Sequence, residues 1–214
     1  MKLIVIGLIL ANVIMSIKGF KDVVFFNKYK FNISSVQKGE KIRMFSSGFL
    51  HADYIHLGFN MYVLYMFSNV VLSYFSPLLY LGIYALSLFI GNYLSLLLNK
   101  SNLYYSAVGA SGAVTGIVYS SIVLFPDMPL SIFPLPISFP AYIFGIGYLF
   151  YSMYGMKNQS GNVGHSAHIG GAIAGYLATI VLIPSVLITQ TLPVVLLAIP
   201  IVVLVLMQKK NFSR

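Results

Sequence analysis

The chain has 214 residues, 58% of them hydrophobic and 8% charged, with a mean hydropathy of +0.87. Soluble domains run at about 45–50% apolar and about 25% charged; four acidic and 13 basic side chains cannot clothe a water-soluble surface of this size. A cytosolic enzyme and a disordered chain are both excluded. At roughly 20 residues per crossing there is room for about six or seven membrane helices, so the expected class is an all-α polytopic membrane bundle. The net charge of +9 comes from residues flanking apolar runs, which points to anionic lipid headgroups rather than nucleic acid. The absence of cysteine excludes disulfides, thiolate metal sites and a cysteine nucleophile.

Leu3 to Ile17 is apolar, bounded by Lys2 and Lys18. No small-x-small cleavage site follows, so it reads as a first span rather than a signal peptide. The next stretch, about residues 19–50, mixes Lys21, Lys28, Lys30, Lys38, Lys41 and Arg43 with Phe and Tyr. That mixture suggests a first loop lying in the headgroup region with short amphipathic turns. A second span runs from about Tyr54 to Ser73, and Pro77 opens a third that reaches about Leu98. The fourth is expected from near Ala107 to Pro126. Pro126, Pro129, Pro134, Pro136 and Pro140 then mark a connection that cannot be continuous helix.

A fifth span covers about Ala141 to Tyr154, and a sixth about Ala167 to Ile183, stopped by Pro184. Leu192 to Met207, closed by Lys209 and Lys210, reads as a seventh. The expected organisation is a six-helix core over residues 1–185 and an additional C-terminal helix with a basic tail over residues 186–214. No internal repeat or inverted half is visible, which weakens a transporter reading.

Polar groups inside membrane helices are costly and are functional candidates by default. The four histidines fall at two helix starts, His51 and His56 before span two, His165 and His168 before span six. His56 and Asn60 are four apart and share a helical face; taken alone, the pair reads first as polar glue between helices. Ser111 stands between glycines at the start of span four. Gly109, Gly112 and Gly116 clear side chains from around its hydroxyl, and a helix start leaves backbone N–H groups for a developing oxyanion. His168, Gly171 and Gly175 form one stripe on span six, where close packing can bring an imidazole to a serine as its base. A structural packing seam is the bland reading of each site alone; the conjunction of three weakens it.

These residues resemble the rhomboid intramembrane serine proteases. His56-Leu57-Gly58-Phe59-Asn60 matches the family's H-x-x-x-N, with His51 matching an additional upstream histidine. Gly109-Ala110-Ser111-Gly112 matches G-x-S-G, and Ala167-His168 through Gly171 to Gly175 matches A-H-x-x-G-x-x-x-G. The resemblance extends from roughly Arg43 to Gly175. It implies a six-helix core with a Ser–His dyad in a water-filled cavity below the membrane surface. Ser111 would be the nucleophile and His168 the general base, with His56, Asn60 and the Ser111 N–H as oxyanion hole, shaped by Gly109. Gly112, Gly171 and Gly175 would allow close packing, and His51 would support the site. It also implies that a substrate's membrane segment enters sideways near the second and fifth helices, under a cap formed by about Gly155 to Gly164. Where the family often has Trp-Arg in the first loop, this chain has Ile42-Arg43. Where it often has an aromatic four residues after the nucleophile, this chain has Thr115.

Of the acids Asp22, Glu40, Asp53 and Asp127, only Asp53 lies near the motifs, and it reads as a helix cap. His165 reads as a cap-loop histidine, with a supporting role as the alternative. The expected activity is hydrolysis of peptide bonds in or near membrane segments of membrane-protein substrates, with no metal or organic cofactor. Two rivals are a catalytically silent relative that binds membrane segments and a histidine-based metal-binding membrane protein. The expected location is a bacterial plasma membrane. Orientation is open: the resemblance puts every basic residue except Lys2 on the outward side, whereas the positive-inside rule inverts the protein.

Overall fold

Helix starts in this protein are of two kinds, and the difference places the site. The computed structural model describes residues 3–131, 137–158 and 164–212. α1 (Leu3–Lys21) is followed by a first loop that folds into α2 (Val23–Tyr29), the short strand β1 (Phe31–Asn32), α3 (Ile33–Gln37), α4 (Arg43–Ser46) and a 3₁₀ turn. Asp22 caps α2 by accepting from Phe25 N (2.9 Å), and Asn32 caps α3 by accepting from Ser35 N (3.0 Å). The loop is thus built of capped short helices, more regular than amphipathic turns. Arg43 staples it: its guanidinium donates to Glu40 Oε2 (2.7 Å) and to the carbonyls of Asn27 (2.7 Å) and Lys30 (2.8 Å). The arginine therefore holds the loop together without an aromatic neighbour before it.

α5 (Tyr54–Tyr74) and α6 (Pro77–Leu98) are the long spans. Asp53 caps α5 through His56 N (2.7 Å), and Ser76 caps α6 with Pro77 in the first turn, where a missing N–H costs nothing. α7 (Ser111–Leu124) is different. Its N-terminus has no side-chain cap, and every residue from Gly112 to Leu124 is buried. At about 21 Å it is too short for a hydrocarbon layer of about 30 Å. The chain reaches its start as extended backbone, with β2 (Ser106–Ala107) pairing antiparallel with β1 in the register Phe31↔Ala107 and Asn32↔Ser106. The expected helix from near Ala107 therefore begins at Ser111, because this strand pair and Gly109, at φ +130°, keep the preceding residues out of helix.

After α7, β3 (Pro129–Ser131) pairs antiparallel with β4 (Ser138–Pro140). Pro134 and Pro136 lie outside the described residues. α8 (Ala141–Asn158) runs four residues beyond its expected end and takes Gly155 into helix; residues 159–163 of the expected cap lie outside the described residues. α9 (His165–Leu182), also without a side-chain cap, starts two residues early. It is followed by α10 (Val186–Thr189) and α11 (Thr191–Phe212).

Among the described residues α1, α5, α6 and α9 are long and apolar enough to cross a membrane, while α7 and the Thr191–Met207 part of α11 are apolar but shorter. The protein is a helical membrane bundle: a core of α1, α5, α6, α7, α8 and α9, with α11 packed against α8. α9 is set between α6 and α7 by glycines on both sides. A Cβ on Gly171 would strike the Gly112 carbonyl, one on Gly175 the Gly116 carbonyl, and one on Gly170 would lie 2.7 Å from Ile90 O. Hydroxyls complete the seams, Ser95 to Ser166 at 2.8 Å and Thr179 to Ser120 at 2.7 Å. Gly171→Ala is expected to lower stability by on the order of 3 kcal/mol in reversible unfolding in detergent. Gly82→Ala, on α6 with open space around it, is expected to hold stability or raise it by up to about 1 kcal/mol.

Candidate active site

The uncapped start of α7 opens into a cavity of about 530 Å³. Four sequence-predicted residues line it together: Ser111 on α7, His168 on α9, and His56 and Asn60 on α5. The cavity follows α5 down to Phe67, about 16 Å below His56. α7 is its floor, and the facing wall is the aromatic stripe Phe144, Tyr148 and Tyr151 of α8. A second cavity, of about 500 Å³, lies against the first loop and is more polar, with Lys30, Asn102, Ser106 and His165 in its wall. Ala52, His56, Val108 and Gly164 line both.

Gly109 ties these groups together. At φ +130° it holds a conformation L side chains rarely adopt. A Cβ there would lie 2.8 Å from His56 Cε1, 2.9 Å from His56 Nε2 and 3.5 Å from Ser111 Oγ. Only hydrogen fits, and the imidazole and the hydroxyl approach the same point. Asn60 is buried and donates to the carbonyl of His56 (3.0 Å), which sets its amide on the cavity side of α5. The Ala52 N–H makes a long contact of 3.5 Å with His56 Nδ1. An acceptor Nδ1 puts the ring proton on Nε2, the atom beside Gly109. The α7 start adds its own backbone N–H groups, which have no intrahelical acceptor.

His51 is wholly buried and does not line the main cavity. Its Nε2 accepts the N–H of Ala110 (3.3 Å), so its Nδ1 carries the proton and donates to Ser16 Oγ (2.9 Å), which donates to Phe49 O (3.0 Å). This relay runs from α1 to the residue before Ser111. Gly109 N donates to Ser47 O (3.0 Å), and Asn92 of α6 donates to Ser47 Oγ (3.1 Å). The turn ahead of Ser111 is thus held from α1, α6 and the first loop. Gly112, Gly171 and Gly175 lie in the α7–α9 seam beneath the site, not in the cavity wall.

His168 is buried and carries a partner absent from every motif. The Tyr148 hydroxyl lies 2.8 Å from His168 Nδ1, and the two rings stack at 5.9 Å and 23°. Thr115 Oγ1 is 3.5 Å from the same hydroxyl. Tyr148 escaped the motif reading because it sits on α8; the signal available was the i, i+4, i+7 aromatic spacing of Phe144, Tyr148 and Tyr151. His165, expected on a cap loop, is instead buried in the first turn of α9, edge-on to Tyr151 (5.6 Å) and to His168 (6.2 Å). Among the described residues no three His, Cys, Asp or Glu side chains come together as a metal site.

Burial chiefly, with the His56 ring adding to it, pushes His51 down to about 3, against an opposing pull from Asp53. Its folded value lies below the ordinary histidine value of about 6.5, so on acidification the unfolded chain binds the proton first. The stability that His51 contributes is complete above about pH 6.5 and declines as pH falls from there toward about 3. Detergent unfolding measured against pH is expected to show a shallower acid decline in His51→Gln than in the wild type.

Residues 38–185 match the family model described as Rhomboid domain. The chain is 27% identical over 140 residues to "Rhomboid protein 1, mitochondrial" of Saccharomyces cerevisiae, covering 64% of this chain and 40% of that protein. It is 26% identical over 196 residues to "RHOMBOID-like protein 12, mitochondrial" of Arabidopsis thaliana, covering 82% and 57%. It is 28% identical over 138 residues to the human "Presenilin-associated rhomboid-like protein, mitochondrial", covering 62% and 35%. The chain thus spans well under two thirds of the length of these relatives. Their names overturn the expectation of a bacterial plasma membrane: composition and spans record that a protein is membrane-embedded, not in which membrane, and these relatives are mitochondrial. The chain belongs to the rhomboid family.

Proposed function

We propose that this chain is an intramembrane serine endopeptidase acting on membrane segments of other proteins through Ser111 and His168. The observation that carries the proposal is the single cavity lined by Ser111, His168, His56 and Asn60, groups drawn from three separated stretches of chain. His168 takes the Ser111 proton at Nε2 while the Ser111 oxygen bonds to the scissile carbonyl carbon. The charge that develops on the carbonyl oxygen is held by His56 Nε2–H, the Asn60 amide and backbone N–H at the α7 start, in the low-dielectric setting where such donors count most. His168 then returns its proton to the leaving amine as the C–N bond breaks. Water hydrolyses the acyl-enzyme by the same path in reverse, and no metal or organic cofactor enters.

The apolar length of the cavity between α5 and α8 suits a helical segment presented from lipid, and the polar cavity on the other side of His56 suits water and the unwound peptide. Residues 1–185 form the catalytic core in this reading, with 186–214 an appended helix and tail. The mitochondrial names of the relatives support a mitochondrial membrane as the location, and the basic first loop supports adhesion to anionic headgroups there.

Ser111→Ala and His168→Ala are each expected to abolish cleavage of a single-span substrate by purified, correctly inserted protein, and Ser111→Ala to abolish fluorophosphonate labelling. His56→Ala and Asn60→Ala are each expected to lower kcat by about 10²–10³-fold. Substrate capture with no Ser111-dependent labelling in the wild type would instead identify a silent segment-binding relative.

A further inference from the structure

The proposed chemistry needs His168 to present a bare Nε2 to Ser111, and a free imidazole has no preference strong enough to guarantee it. In a serine triad a carboxylate on Nδ1 enforces this tautomer. Here Asp53 is the one acid in the wall of the main cavity, and its carboxylate is committed to the α5 cap. The group on His168 Nδ1 is the hydroxyl of Tyr148, at 2.8 Å. Tyr148 also stacks on the imidazole, and Phe144 stacks on Tyr148 in turn (5.6 Å, 23°), so three rings form one column rising along α8 to His168.

We infer that Tyr148 is the positioning residue of the dyad, holding His168 with the proton on Nδ1 and the lone pair of Nε2 free for Ser111. The inference rests on the Ser111–His168 reading above. In the resting state Nδ1–H donates to the Tyr148 oxygen, and the Tyr148 proton turns to Thr115 Oγ1, 3.5 Å away. When Nε2 takes the Ser111 proton, the imidazolium keeps Nδ1–H on Tyr148, and its charge strengthens that bond. Tyr148 neither gains nor loses a proton through the cycle. A neutral phenol suits this depth, where a resident carboxylate would be a buried charge needing a permanent partner. The chain has threonine at position 115, and the aromatic neighbour of the imidazole comes from α8 instead, with Thr115 serving as the outer link of the hydroxyl chain.

Tyr148→Phe keeps the ring and removes only the hydroxyl. With purified protein and a single-span substrate, kcat is expected to fall about 10- to 100-fold with KM changed by less than about twofold. Fluorophosphonate labelling of Ser111 should slow by the same factor, with the melting temperature unchanged. Wild-type kcat and labelling in Tyr148→Phe would overturn the inference, and so would a change confined to KM, which marks a substrate contact only. If Tyr148→Phe fails to insert, Thr115→Val carries the test: a kcat loss of about twofold to fivefold at constant KM supports the relay, and unchanged kcat overturns it. Failure of the dyad reading is separate and visible beforehand, as wild-type protein that labels no faster than Ser111→Ala.

Discussion

A polypeptide that starts a helix partway down a bilayer must satisfy the backbone it exposes on the way, because hydrocarbon offers no hydrogen bonds. The structure of this protein is organised around that constraint. The segment descending to Ser111 is extended, and its polar groups are taken up one after another by protein: β1 pairs with Ser106 and Ala107, Ser47 accepts from Gly109, and His51 accepts from Ala110. The start of α7 has no side-chain cap, and its first residue, Ser111, lines the cavity. Ser111 is thus reached along a segment whose backbone donors at Gly109 and Ala110 are held by the first loop and by His51.

The first loop follows from the same requirement. Its short helices would be marginal alone, yet Arg43 gathers three parts of the loop on one guanidinium, and the loop in turn supplies β1 and Ser47. His51 does this from buried surroundings as a neutral ring, one nitrogen accepting and the other donating. A charged ring could not accept from Ala110, which is why burial and function agree in keeping it unprotonated.

Close helix approach is the second support. Small residues let backbones meet where lipid supplies no hydrophobic drive for helices to associate. On α9 glycines face both α6 and α7, so the helix bearing His168 is fixed against the helix bearing Ser111 at backbone contact rather than through long side chains. α8 packs on α7 and α9 as well, through the Tyr119 hydroxyl on the Gly145 carbonyl and through Gly155 against His165. It touches the site through aromatic rings, Phe144, Tyr148 and Tyr151, and bounds the apolar cavity opposite α5. Close backbone seams thus hold the helices that bear Ser111 and His168, and the rings of α8 line the cavity beside them.

Much of this was legible in the letters. Hydropathy and proline positions placed the helices to within a few residues, since apolar runs and missing donors act locally. The H-x-x-x-N, G-x-S-G and A-H-x-x-G-x-x-x-G spacings named the residues that line the cavity, because i, i+3 and i+4 relations are helix geometry in one dimension. What sequence could not carry was contact between elements far apart in the chain. The strand pair of β1 with β2, which delays α7 to Ser111, joins residues 31 and 107; Tyr148 reaches His168 across 20 residues, and His51 reaches Ala110 across 59. Sequence alone determined a multispan helical protein with its polar groups clustered at three helix starts. Tertiary structure decided which atoms of those groups meet, because that depends on how closely glycine lets backbones approach and on which ring then fills the space beside the imidazole.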